Sequence, residues 1–279
     1  MPRLSVVVPA FNNELFIEDA LRSVLAQDWG DFEVIVADHS STDSTRVIID
    51  SLASDKRLRV LSTAAGGGAV DNWRRVSEAA SGEYLKLLPG DDVLYPGALA
   101  AQVAALNAHP SVALVSSPRD ILNARGEISI RNRGLQGVRR GVQPGVEAVR
   151  QAVRRGTNVF GEPGCVTMRR ASLEAVGGWD DRFPYLIDQT TYSRVLFDAD
   201  YLAVDRVLAG FRVNSGQWSV ALVNDQARQA KAYHRWCRQQ VPDRISAVDV
   251  WFGDRRAEAM AVARRAYYSM NRNRLTVRS

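Results

Sequence analysis

Short β-branched runs alternate with amphipathic helical patterns over the first 90 residues, and this alternation limits the possible folds more than any other feature. Leu4-Ser5-Val6-Val7-Val8 ends at Pro9, as a strand buried on both faces does. Residues 14–26 place Leu15, Ile17, Ala20, Leu21, Val24 and Leu25 on one side of a helix. The spacing then predicts strands over 32–37, 57–61 and 83–88, with helices over 44–52 and 70–79 between them. Ser41-Thr42-Asp43 supplies the cap of the second helix. Parallel strands need crossovers, and helices provide them here, so the sheet is mainly parallel.

The rhythm changes after Asp92. A helix over 96–109 stops at Pro110, and a strand follows over 112–116. Residues 121–139 are polar and contain glycine, and read as a hairpin or loop. Pro144 opens a helix that runs to 154. The pattern then gives a strand over 165–169 that returns to the sheet, a helix over 186–197 and a strand over 201–213. From Asn224, helical patterns broken near Pro242-Asp243 run to a polar end. The chain thus divides into a domain over 1–223 and a basic helical extension over 224–279.

The extension holds 12 lysines and arginines against five acidic residues from Asp225 onward, while the whole chain is only +5. A solvated tail, an anionic membrane surface or a phosphorylated acceptor each accounts for that surplus. No nucleic-acid-binding module accompanies it. No apolar run approaches the roughly 20 residues of a membrane span. Met1-Pro2-Arg3 leads directly into a strand, unlike a signal peptide. Cys165 and Cys237 show neither disulfide nor zinc spacing and read as small buried apolar residues. The expected setting is cytoplasmic, with peripheral contact at the inner membrane face.

Two acidic clusters follow strands directly: Asp38-His39-Ser40-Ser41-Thr42-Asp43, and Pro89-Gly90-Asp91-Asp92. In open α/β sheets ligands bind at that edge. One carboxylate there can read a hydroxyl or a base N–H, and another can hold a divalent ion against phosphate oxygens. A nucleotide diphosphate bound with a metal is the expected ligand. Gly66-Gly67-Gly68 lacks a following Lys-Ser/Thr and is not a P-loop.

Val6 to Asn13, the 38–43 cluster, Ser81-Gly82-Glu83-Tyr84, Asp91-Asp92 and Gly177-Gly178-Trp179-Asp180 occur in an order and spacing that resembles glycosyltransferase family two, over roughly residues 4 to 215. The resemblance implies the GT-A fold: an α/β, Rossmann-like architecture whose mostly parallel central sheet is flanked by helices. It implies an inverting transfer of a sugar from a nucleotide-diphosphate donor, UDP first among carriers, with Mg²⁺ or Mn²⁺. The acceptor is a hydroxyl, on a glycan or lipid-linked glycan of cell-envelope polysaccharide synthesis among other choices.

The resemblance also implies site roles. Pro9, Phe11 and Asn12 form the first strand-to-helix loop, with Phe11 against the base, and Asp38 reads the base. Asn72 belongs to the donor site. Asp92 is the metal ligand and Asp91 lies near the ribose or a metal-bound water. Asp188 is the catalytic base, with Asp180 and Asp181 as fallbacks. Gly177 and Gly178 let backbone approach the acceptor pocket, and Trp179 is an acceptor wall or a core residue. The segment 211–219 folds over the donor, with Arg212 and Trp218 closing the site. The chain departs from the family at His39, Asp71, Pro89, Ile187 and Asn214. With Asp71 where an arginine is usual, the phosphate contact falls to Lys86, Arg74 or Arg212. The departures at Pro89, Asp71 and Ile187 keep a degenerate, non-catalytic sugar-nucleotide binder or scaffold in view. A sugar nucleotidyltransferase lacks its Gly-rich basic signature here.

Overall fold

A computed structural model describes residues 2–62, 68–135, 137–214 and 225–270. The first third folds as β1 (Leu4–Ala10), α1 (Ile17–Leu25), β2 (Phe32–Asp38), α2 (Thr45–Leu52), β3 (Leu58–Ser62), α3 (Gly68–Glu78) and β4 (Tyr84–Leu87). All seven residues of β1 are buried, which explains its unbroken apolar run. Leu15 falls outside α1 and is exposed, because the chain turns there before the helix starts at Ile17.

The remaining elements are β5 (Val93–Leu94), α4 (Ala98–Ala108), β6 (Val112–Ser116), β7 (Arg119–Leu122), β8 (Ile128–Arg133), β9 (Gly141–Pro144), α5 (Gly145–Arg155), β10 (Val166–Arg169), α6 (Arg170–Ala175), α7 (Ile187–Leu196), β11 (Asp200–Ala203), β12 (Ala209–Arg212), α8 (Gln226–Gln240) and α9 (Ala247–Met270). Eight strands form one sheet in the order β3-β2-β1-β4-β10-β6-β11-β9. The first four are mutually parallel; β10 enters antiparallel between β4 and β6, and β11 runs parallel to β6. A second sheet has the order β5-β12-β7-β8.

The 121–139 segment contains the expected hairpin partner, since β7 pairs antiparallel with β8. The single strand expected over 201–213 is two strands: β11 sits in the large sheet and β12 in the small one. The chain changes sheets between them, and Arg206 there donates to Pro96 O. Cys165 and Cys237 are buried free thiols. Helices α8 and α9 pack on each other and on α5. Among the described residues, no helix is long and apolar enough to cross a membrane.

Candidate active site

The acidic cluster after β2 is first a device for joining two loops. Asn12, at φ +49°, donates its backbone N–H to Ser41 Oγ at 2.9 Å, and its Oδ1 accepts from Thr42 N at 2.9 Å. Glu14 N donates to Asp43 Oδ2, and Ser44 N donates back to Glu14 Oε2. Asp43 Oδ1 accepts from Thr45 N in the turn that leads into α2, while the N-cap itself is Ser44, which makes no side-chain cap bond, and not one of the expected 41–43 residues. Asp38, at the end of β2 and nearly buried, accepts from Ser41 Oγ at 2.5 Å. The loops after β1 and β2 therefore form one braced rim.

Beyond that rim lies a cavity of about 750 Å³ at the C-terminal ends of β1, β2 and β4. Pro9, Phe11, His39, Asn72, Gly90 and Asp91 line one part of it, and Asn158, Leu186 and Asp188 another. Phe11 is 54% exposed at the cavity, and its ring stands T-shaped to the His39 ring at 6.1 Å. Asn72 donates to Ala10 O and Ala37 O, both at 3.3 Å, tying α3 to the ends of β1 and β2. Its buried Oδ1 has no hydrogen-bond partner. Asn12, Asp38 and Asp92 are not among the lining residues.

Asp91 faces the cavity, and its Oδ2 accepts from Asn214 Nδ2 at 2.9 Å. Asp92, 1% exposed, accepts the Arg212 backbone N–H on Oδ1 at 2.9 Å. Burial pushes Asp91 up to about 6. Burial, reinforced by the neighbouring Asp91 charge, pushes Asp92 well above the ordinary carboxylate range. Two hard-oxygen groups that repel one another beside a cavity match the needs of a divalent cation. Mg²⁺ and Mn²⁺ take one or two carboxylates and complete their shells with phosphate and water oxygens. The fit does not need a third acid, and among the described residues no cluster of three or more potential ligands occurs. The sequence expectation put the ion on Asp92, but in the structure Asp91 is the one that reaches the cavity.

Asp188 enters from the first turn of α7. Its Oδ1 accepts from Gln189 N at 2.7 Å and its Oδ2 from Asn158 Nδ2 at 2.9 Å. Burial, against the Gln189 N–H, raises it to about 7. A carboxylate poised there suits proton abstraction near neutrality. Asn158 also accepts from Phe160 N and Gly161 N on Oδ1, so one amide fixes both the Asp188 carboxylate and the following turn. That turn carries Glu162, whose Oε2 lies 2.5 Å from Arg119 Nε, while Arg119 Nη2 donates to Glu162 Oε1 at 2.7 Å. Arg119 and Glu162 both line the cavity. Sequence reasoning missed Asn158, Arg119 and Glu162. Their available signals were the Gly- and Pro-marked run from Gly156 to Gly164 and an arginine directly after Ser117-Pro118.

Other expected contributors lie elsewhere. Lys86 is buried in the core, donating to Gln102 Oε1 and Val166 O, and burial lowers it to about 7. Arg74 braces the Trp179 carbonyl and Asp181. Arg212 sits behind the acid pair, donating to Asp91 O from Nε. None of these three lines the cavity. Trp179 is a core residue, 2% exposed, donating to Ser77 Oγ. Gly177 and Gly178, at φ +79° and +84°, end α6; an added Cβ would meet open space, so their glycines serve the backbone turn and not close approach to a pocket. Asp180 is taken up by Arg182 and Arg194. Residues 215–219, including Trp218, lie outside the described residues, as do Gly66 and Gly67.

The helices set apart as an extension also reach this cavity. Gln226, Ala230, Tyr233 and His234 from α8, and Ala257 and Arg264 from α9, line it. Tyr233 is buried, and its hydroxyl lies 2.7 Å from Ser193 Oγ on α7.

The sequence model described as Glycosyl transferase family 2 matches residues 5–177. The chain is 37% identical over 109 residues to a GalNAc(5)-diNAcBac-PP-undecaprenol beta-1,3-glucosyltransferase of Campylobacter jejuni, covering 38% of this chain and 35% of that protein. The chain spans less than two thirds of the length of the first curated relatives it matches. Among solved structures, Staphylococcus aureus TarS in complex with UDP-GlcNAc superimposes with TM-score 0.70 at 18% identity, over 89% of this chain and 68% of that one. A mannosyltransferase from Pyrobaculum calidifontis, in complex with GDP-Man and Mn²⁺, gives TM-score 0.67 at 19% identity, over 96% and 75%. These likenesses establish the fold as GT-A.

Proposed function

The chain belongs to glycosyltransferase family 2, and from that premise we propose that it transfers a sugar, with inversion, from a nucleotide-diphosphate donor to an acceptor hydroxyl. The observation that carries this reading is one cavity that Phe11, Asn72 and Asp91 line together with Asp188, with the Arg119–Glu162 pair also in its wall. The complexes of the two structural neighbours support a nucleotide-sugar donor and a divalent ion. UDP is the carrier we propose, and a glycan or lipid-linked glycan the acceptor.

In this reading the Phe11 ring stacks on the base and Asp38, braced by Ser41, lies behind it. Asp91, with Asp92 next to it, would hold Mg²⁺ or Mn²⁺, which would supply Lewis-acid neutralisation of the departing diphosphate. Asp188 removes the acceptor hydroxyl proton as the hydroxyl attacks the anomeric carbon on the face opposite the diphosphate. Asn158 and the Gln189 N–H hold the carboxylate for that attack, and Arg119 stays paired with Glu162 in the cavity wall.

Asp188→Asn tests the assignment. It should bind UDP with Mn²⁺ as the parent does and lose turnover by about 10²–10⁴-fold, the range for a missing general base. Full turnover in this variant, measured with a panel of sugar nucleotides and acceptors, would remove Asp188 from the mechanism.

A further inference from the structure

The cavity wall built by the C-terminal helices holds a guanidinium, that of Arg264, that no carboxylate among the described residues neutralises. Arg264 donates from Nη1 to Tyr185 Oη at 2.9 Å and to Gln226 Oε1 at 3.2 Å, and from Nη2 to Thr157 Oγ1 at 3.5 Å. All three acceptors are neutral. The acids of α9 are engaged elsewhere: Asp249 with Arg150 and Arg154, Asp254 with His234, Glu258 with Lys231. Among the described residues that 156–158, 184–189, α8 and α9 contribute to the cavity, Asp188 is the only acid. Leu186, Ile187, Ala230, Tyr233 and Ala257 make much of the rest apolar.

Arg264 is also close to the chemistry. Thr157, which it touches, precedes Asn158, and Asn158 holds Asp188. A guanidinium offers five N–H donors in a planar fork that matches an oxyanion at two points. Here one of the three bonds is at the limit of hydrogen-bond length, and donors remain. A cation in a largely apolar wall is costly until an opposite charge meets it.

We infer that the acceptor carries an oxyanion, a phosphate ester or a sugar carboxylate, which Arg264 binds beside the reacting hydroxyl. This rests on the transferase reading and adds the charge of the acceptor to it. It also gives one of the twelve basic residues after Asp225 a place in the site.

Titration calorimetry on the full chain saturated with UDP and Mn²⁺ tests it, with N-acetylglucosamine 1-phosphate, glucuronic acid and neutral N-acetylglucosamine as probes. The charged probes should bind more tightly than the neutral one. Arg264→Gln should weaken them roughly ten- to a hundredfold, the range for losing a hydrogen bond to a charged group, with UDP affinity unchanged. Arg264→Lys, which keeps the charge without the fork, should recover part of the loss. The tighter of the two charged probes names the acceptor group. If the neutral probe binds equally well, or the charged ones ignore Arg264→Gln, the inference falls and the transferase reading stands. A loss of UDP affinity in Arg264→Gln moves the residue to the donor and overturns the inference as well. A parent chain that binds no UDP overturns the transferase reading together with the inference.

Discussion

Asp188 works at the balance of two opposed effects: burial raises its carboxyl to about 7, while the N–H groups of Gln189 and Asn158 favour the charged form. A base must be ionised to accept a proton, so kcat/KM should rise with pH through about 7 and then level. Asn158→Ala removes one of the two bonds to the carboxylate. The inflection of the pH–rate profile should then move upward by on the order of one unit, since a hydrogen bond to a charged group contributes about 1.5–3 kcal/mol. An unmoved inflection would mean that Asn158 only shapes the loop. That Asp91 and Asp188 share one cavity was legible in the sequence because each lies at an element boundary that a family order marks. Asn158 and Glu162 were not legible, because irregular backbone carries them to the cavity, and Arg119, the first residue of β7, was not because it meets Glu162 only through the fold.

The helices α5 and α9 touch through backbone. An added Cβ at Gly253 would run into the Val153 carbonyl, and one at Gly156 into the Gly253 carbonyl. Gly156 also ends α5 at φ +62°, a conformation that suits glycine. Gly253→Ala should therefore lower stability by roughly 1–3 kcal/mol, as overpacking does, and loosen the wall that carries Arg264. Thermal melting together with the charged-probe titration checks this; an unchanged Tm would show that the helices can separate at no cost. Elements with strict periodicity, such as β1 and α1, could be read from their residues because local pattern and burial agree. The split of 201–213 into β11 and β12 could not, because both halves are apolar and only the tertiary pairing assigns them to different sheets. The helices from 226 onward were legible as helices, but their place in the cavity was not, since hydrophobic spacing names a buried face without naming what covers it.

For the molecule as a whole, the buried acid pair makes stability depend on pH, and the metal role proposed for it would couple that stability to a divalent cation. The folded chain holds a proton on Asp91 up to about 6, where the unfolded chain has already released it above its ordinary 3.8. Stability from this group is therefore full at low pH and lost as pH rises through that window. A divalent cation should restore it only where the pair is ionised. At a hundredfold excess over Kd, Mn²⁺ should add about 2.7 kcal/mol near pH 7.5, with a smaller gain near pH 5.5 and none in Asp91→Asn. Equal gains at both pH values would separate Mn²⁺ from the pair. The glycine seam between α5 and α9 bears on engineering in its own way. Chimeras that transplant the C-terminal helices of a relative to change what is glycosylated will need a donor segment that is bare at position 253 and a recipient that is bare at 156. Without that match, the graft will hold its helices apart and carry no specificity across.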